Sequence, residues 1–155
     1  MSIKIVPFNK AYAAAFKSLN VEWLETFFYV EPYDLEILSN PIKYVINPGG
    51  HIFFALEKNR VVGTVALFKA DNDQFELTKM AVLPSERGKN IGQMLMQHCL
   101  DFAKSNSVGL FLYSHTKLAN AIYIYKKYGF EQVPLNPDNP YERSDIKMVL
   151  KQGAS

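Results

Sequence analysis

The order of apolar and polar positions divides the chain into three stretches. In the first, Ile3 to Val6 reads as a short strand that Pro7 ends. Asn9 stands where a helix cap belongs, and Ala11 to Leu19 is rich in helix formers. Val21 to Tyr29 is apolar and aromatic through Trp23, Leu24, Phe27 and Phe28, and continues that helix until Glu31-Pro32-Tyr33 breaks it. Asp34 to Leu38 reads as a short helix, Asn40-Pro41 opens another through Val45, and Asn47-Pro48-Gly49-Gly50 is a turn. In the second stretch, strands are expected over His51 to Leu56, Val61 to Phe68 and Gln74 to Val82. The polar links Glu57-Lys58-Asn59-Arg60 and Asp71-Asn72-Asp73 between them are short, which predicts an antiparallel meander.

The period then changes. Ile91, Leu95, Cys99 and Phe102 recur at steps of three or four, the spacing of one helix face, and Ser105-Asn106-Ser107 closes that helix. Val108 to Tyr113 is a dense apolar strand, expected to be buried on both faces. Leu118 to Tyr128 is helical and Gly129 suits its stop. Phe130 to Val133 and Asp145 to Leu150 are the last strands, joined through the proline-rich loop Pro134 to Tyr141. No repeat or linker interrupts the order, so the expectation is a single α+β domain over residues 1–155.

Composition narrows the class. The 155 residues suffice for a core without staples, and 48% apolar with 21% charged is the balance of a globular domain. A net charge of +2 without a basic tract gives no argument for nucleic acid or an anionic membrane. Cys99 is the one cysteine, so no intrachain disulfide forms, and no Cys/His cluster offers a metal site. The start of the chain lacks a signal-peptide pattern and no window approaches a membrane span, which predicts a cytoplasmic protein.

The chemistry concentrates in ELTKMAVLPSERGKNIG, Glu76 to Gly92. A strand enters a polar loop, and the loop opens a helix whose first N–H groups have no internal acceptor. The helix dipole adds partial positive charge, and Arg87 and Lys89 add more. Gly88 and Gly92 let backbone approach an anion closely. The pattern suits a phosphate or pyrophosphate. It is neither the P-loop nor the dinucleotide fingerprint. A charged surface loop is the plain alternative.

A second segment, NAIYIYKKYGFEQV from Asn120 to Val133, decides between them. RGKNIG resembles the pyrophosphate loop of the GNAT superfamily of acetyl-CoA-dependent N-acetyltransferases, usually [Q/R]-x-x-G-x-[G/A]. AIYIYKKYGF resembles that family's second hallmark, A-x-x-L-Y-x-K-x-G-F. The two are separated by one helix and one strand, as in the family, and the likeness runs from Ile3 to Leu150. Asn90 stands at the usual first glycine, and asparagine is among the residues that tolerate a left-handed backbone. Ile124 replaces the leucine, and Leu118 replaces an asparagine often seen at that point, with Asn120 nearby at another phase.

The resemblance implies a mixed, mostly antiparallel sheet of about six to seven strands, helices on both faces, and a splay between strands 4 and 5. It implies acetyl-CoA as donor, its pantetheine along Met80, Ala81 and Val82, its pyrophosphate on Arg87, Gly88, Lys89, Asn90, Ile91 and Gly92, with Asn120 close by. No metal takes part. Glu76 is the expected base, acting through water, and Tyr125 the expected acid toward the sulfur. The plain alternatives are a solvated strand carboxylate and a packing tyrosine. Cys99 reads as a buried apolar residue, and His115 as a lone histidine near the site. The acceptor is an amine, small or macromolecular, met by Tyr29 to Tyr44 and Pro134 to Tyr141, where Glu31 and Asp34 would suit a cation. The alternatives are an acetyl-CoA sensor without turnover, another acyl-CoA, or an oxygen acceptor. An interaction module would leave RGKNIG without a purpose, and a homodimer is compatible with the resemblance.

Overall fold

The computed structural model describes residues 2–71, 73–137 and 139–151. Asn72, placed by the sequence in a turn, and Asp138, in the proline-rich loop, lie outside the described residues. Seven strands form one sheet in the order β1-β2-β3-β4-β5-β7-β6. They are β1 (Ile3–Pro7), β2 (His51–Glu57), β3 (Arg60–Asp71), β4 (Gln74–Val82), β5 (Gly109–Ser114), β6 (Phe130–Val133) and β7 (Ile146–Leu150). Among the described residues four α-helices accompany them, α1 (Ala13–Phe27), α2 (Pro32–Ser39), α3 (Ile91–Asn106) and α4 (Ala119–Lys127), and the helix expected from Asn40-Pro41 is a single π-type turn over Ile42–Ile46. All neighbours are antiparallel except β4 and β5.

The expected order holds, and the differences are local. Pro32 does break the first helix, but it also opens α2 as that helix's first residue, where its missing N–H costs nothing. β3 runs on to Asp71 rather than stopping at Phe68. β5 is buried on one face only: Leu110 and Leu112 are enclosed, while Phe111 and Tyr113 are half-buried. The last strand in sequence, β7, inserts between β5 and β6.

Each face of the sheet has its own core. Strand alternation in β2 sends Phe53 and Ala55 toward α3, and Ile52, Phe54 and Leu56 toward α1 and α2. On the α3 side, Ile91, Leu95 and Cys99 supply the helix stripe that the sequence spacing predicted. Gly63 of β3 is required there: a Cβ would lie 3.1 Å from both Ile91 and Leu95 side chains, so its absence lets α3 seat against the sheet. Burial pushes the Cys99 thiol pKa up to about 12, leaving it unreactive. No helix among the described residues is long and apolar enough to cross a membrane.

Two irregularities position the site. β4 and β5 pair only over Gln74–Gly109, Phe75–Leu110 and Glu76–Phe111 and then part, so one edge of β4 opens into a wedge. The β3–β4 register also slips: Thr64 faces Ala81 and Ala66 faces Thr78, which leaves one extra residue on β4. Lys79 turns through φ +56° at this bulge. The bulge changes which side chains share a face. Leu77 and Met80 both pack toward α3, while Thr78 and Lys79 between them both reach groups on the α2 side.

Candidate active site

Two cavities of about 290 Å³ each meet at the wedge. Met80, Val82, Arg87, Ala121 and Tyr125 line both. One lies over the loop before α3 and is bounded by Gly88, Asn90, Ile91, Gly92 and Asn120. The other opens on the α1 side and is bounded by Trp23, Phe27, Phe28, Tyr141 and Arg143 among others.

The loop cavity has the features of an anion cradle. Asn90 adopts φ +65° and Gly88 φ +84°, which turns the loop so that α3 starts toward the cavity. Asn90 occupies the cap position without a side-chain cap bond, so the first-turn N–H groups stay open to a ligand. Asparagine thus performs the left-handed turn expected of it. Arg87 donates from Nε to the Val82 carbonyl at 3.2 Å and pairs with Glu22. Lys89 is bound to Glu86 and lines neither cavity. Ala81 lines only the α1-side cavity. These groups fit a CoA molecule: open N–H donors for its phosphates and a free β4 edge for its amide-bearing arm.

Tyr125 stands at the junction, its ring 6.0 Å from that of Phe130. Burial pushes its pKa up to about 12, so its hydroxyl keeps its proton at neutral pH. Glu76 is buried and lines neither cavity. Its carboxylate accepts a 2.8 Å bond from the Tyr141 hydroxyl, which also lies 3.2 Å from Thr78 Oγ1. Burial raises the Glu76 pKa against the opposing influence of Tyr141 and Lys79. Tyr141, the partner of Glu76, is among the residues that line the α1-side cavity. His115 lines the cavity too, but its Nδ1 accepts from the Lys117 N–H at 3.0 Å and its Nε2 sits 3.6 Å from Asp145.

Beneath Tyr141 lies a cluster that no local pattern foretold. Arg143 donates from Nη1 to Glu31 and to Asp34, each at 2.6 Å, and from Nη2 to Asp34 at 3.0 Å. Lys79 Nζ donates to Asp34 at 2.8 Å. Lys79 and Arg143 both stand over the Tyr141 ring, at 4.6 and 4.7 Å from its centre. Burial pulls the Lys79 pKa down, against Asp34. Burial also works against the Asp34 carboxylate, but Arg143 and Lys79 outweigh it and hold its pKa below the usual range. Glu31 and Asp34 are thus not free to meet a cationic acceptor, contrary to the expectation from sequence: both are buried and spent on Arg143 and Lys79.

The model for the acetyltransferase (GNAT) family matches residues 15–130, three quarters of the sequence. The chain belongs to the GNAT acetyltransferase family. Among solved structures, this GNAT chain superimposes on a GNAT-family acetyltransferase from Staphylococcus aureus Mu50 with TM-score 0.84 at 23% identity, covering 96% of this chain and 98% of that one. It also matches the PaiA N-acetyltransferase of Thermoplasma acidophilum in complex with coenzyme A, with TM-score 0.76 at 20% identity over 97% and 99% of the two chains. A GNAT acetyltransferase of Elizabethkingia anophelis with acetyl-CoA bound gives TM-score 0.62 at 22% identity over 95% and 94%. At these identities the likeness is one of fold. In sequence, streptothricin acetyltransferase of Streptomyces lavendulae is 38% identical over 64 residues, 41% of this chain and 34% of that protein. A Mycobacterium leprae protein is 36% identical over 64 residues, 41% of this chain and 17% of its own length.

Proposed function

We propose that the protein moves an acetyl group from acetyl-CoA onto a primary amine by direct attack, as one acetyltransferase domain over residues 1–155. The observation that carries this is the junction at Tyr125, where an anion-cradling cavity and an aromatic cavity share one wall. Acetyl-CoA, when bound, supplies a thioester carbonyl activated toward an amine. The open first turn of α3 and the loop from Arg87 to Gly92 hold its phosphates, and the free edge of β4 at Met80, Ala81 and Val82 orients its arm.

An alkyl ammonium, with a pKa of about 10.4, must lose a proton before it can attack. Tyr141 is placed to take that proton while passing its own to Glu76, 2.8 Å behind it. Burial of Glu76 favours the product of this transfer, the protonated carboxyl. Tyr125 serves the leaving sulfur. A phenol with a pKa near 12 does not hand its proton fully to a thiolate of pKa about 8.5, so it acts as a hydrogen-bond donor to the charge that develops there.

Calorimetry with acetyl-CoA, followed by thiol release in the same sample against a panel of amines, tests this function. Binding with release on any primary amine confirms it. Binding without release on any amine of the panel favours a sensor or an acceptor outside the panel, and no binding at all removes the function.

A further inference from the structure

The walls of the acceptor cavity carry charge of one sign. Lys79, Arg87 and Arg143 line it, and no aspartate or glutamate does among the described residues. The nearest carboxylates do not line it and are each engaged: Glu31 and Asp34 beneath Arg143 and Lys79, Glu76 beneath the Tyr141 hydroxyl, and Glu22 on Arg87. Three of the aromatic faces that could cage a cation, those of Phe27, Phe28 and Tyr141, already carry one of the protein's own. Lys117 Nζ stands 3.9 Å over Phe28, Arg87 5.6 Å over Phe27, and Lys79 and Arg143 cover Tyr141. An ammonium entering here finds neither a counter-charge nor an uncovered ring of this set.

We propose that the acceptor is a small amine bearing its own carboxylate next to the amine and an apolar body, as in an apolar amino acid. The inference rests on the acetyl transfer proposed above. Arg143 has five N–H donors, and its three bonds to Glu31 and Asp34 leave donors of the guanidinium fork for a further carboxylate. The carboxylate would lie on the Arg143 side of the cavity. The amine would then point toward Tyr141 and Tyr125, and the apolar body would lie on Trp23, Phe27 and Phe28. A volume of about 290 Å³, shared with the reactive end of the donor, limits the body to the size of one amino acid.

Leucine, leucinamide and 3-methylbutylamine separate the carboxylate from the body with the protein unaltered. Leucinamide loses its ammonium proton more readily than leucine, so amine basicity alone would favour the amide. The expected result is a kcat/KM for leucine at least about tenfold above both others. Calorimetry on the CoA-loaded protein is the second readout: 4-methylpentanoate, which has the carboxylate and no amine, should bind at least about tenfold more tightly than 3-methylbutylamine. Arg143→Lys keeps a cation against Asp34 but loses the fork, so the KM for leucine should rise while that for 3-methylbutylamine stays. Equal or better use of leucinamide or 3-methylbutylamine overturns the proposal and leaves acetyl transfer standing. A common shift of both KM values in Arg143→Lys overturns it as well. If no amine is turned over, the calorimetry decides: tighter binding of 4-methylpentanoate supports the carboxylate site, and its failure to bind more tightly than 3-methylbutylamine overturns it.

Discussion

Gly92 separates folding from binding at a single atom. A Cβ there would meet Met80 Sδ at 3.7 Å and Val82 Cγ2 at 3.9 Å, ordinary contacts that strain nothing. Both neighbours line the loop cavity. Gly92→Ala should therefore keep or raise stability, by up to about 1 kcal/mol for alanine over glycine in a helix. The added methyl fills the cradle, so the Kd for acetyl-CoA should rise about tenfold or more by calorimetry. The tyrosines divide in the same way. Tyr125→Phe should cut kcat about 100-fold and leave acetyl-CoA affinity unchanged. For Glu76 the sign follows from burial: its folded pKa lies above the ordinary carboxyl value of about 4.3, so kcat should fall as pH drops through that raised value. Glu76→Gln should be slow at every pH and lose this acid limb; an unchanged pH profile would remove Glu76 from the proton path. Much of this residue set was legible because glycines, Asn90 and Tyr125 sit in short motifs whose chemistry needs neighbours in sequence. Tyr141 was not, since its partner Glu76 is 65 residues away and nothing local marks the pairing.

At the scale of elements, α2, β4 and the loop before β7 are tied by one charge cluster. Asp34, wholly buried, accepts from both Lys79 and Arg143. Removing it leaves Lys79 without its ion-pair partner and Arg143 with Glu31 alone, and breaking a buried pair from one side costs about 3–5 kcal/mol. Asp34→Asn should therefore lower Tm by roughly 10 °C at neutral pH for a chain of this size. Asp34 has a depressed pKa, so its stabilisation is complete above the unfolded carboxyl value of about 3.9 and is lost as pH falls through the lower folded value. The deficit of Asp34→Asn should accordingly shrink in acid, as followed by thermal melts from pH 7 to pH 2. The elements themselves were legible from period and turn chemistry. The bulge was not: a one-residue slip leaves no trace in Leu77-Thr78-Lys79-Met80, because alternation reads that run as an ordinary strand and only the register with β3 exposes the extra residue. That slip is what brings Lys79 to Asp34, and the sequence alone therefore assigned Glu31 and Asp34 to a substrate instead of to each other's cations.

At the scale of the molecule, function depends on an interruption of the sheet. Meander, crossover helix and late strands could be ordered from the chain, but the insertion of β7 between β5 and β6 is a long-range choice that hydrophobic pattern leaves open. β5 pairs with β7 over Phe111–Ser114 while its pairing with β4 stops at Phe111, so β5 is held away from β4 by its other neighbour. The backbone of β4 beyond Glu76 is then bonded on its β3 side and open on its β5 side. A ligand arm that pairs with this edge completes the sheet, and the effect should be local. With acetyl-CoA bound, hydrogen exchange at residues 77–82 should slow by at least about tenfold, while β1 and β2, on the far side of the sheet, stay as they were. The same binding should add about 2.7 kcal/mol at a ligand concentration of 100 Kd, a Tm rise of roughly 5–10 °C. A rise in Tm with no protection at residues 77–82 would place the cofactor on the α3 loop alone. The wedge would then be a feature of the sheet without a part in holding the donor.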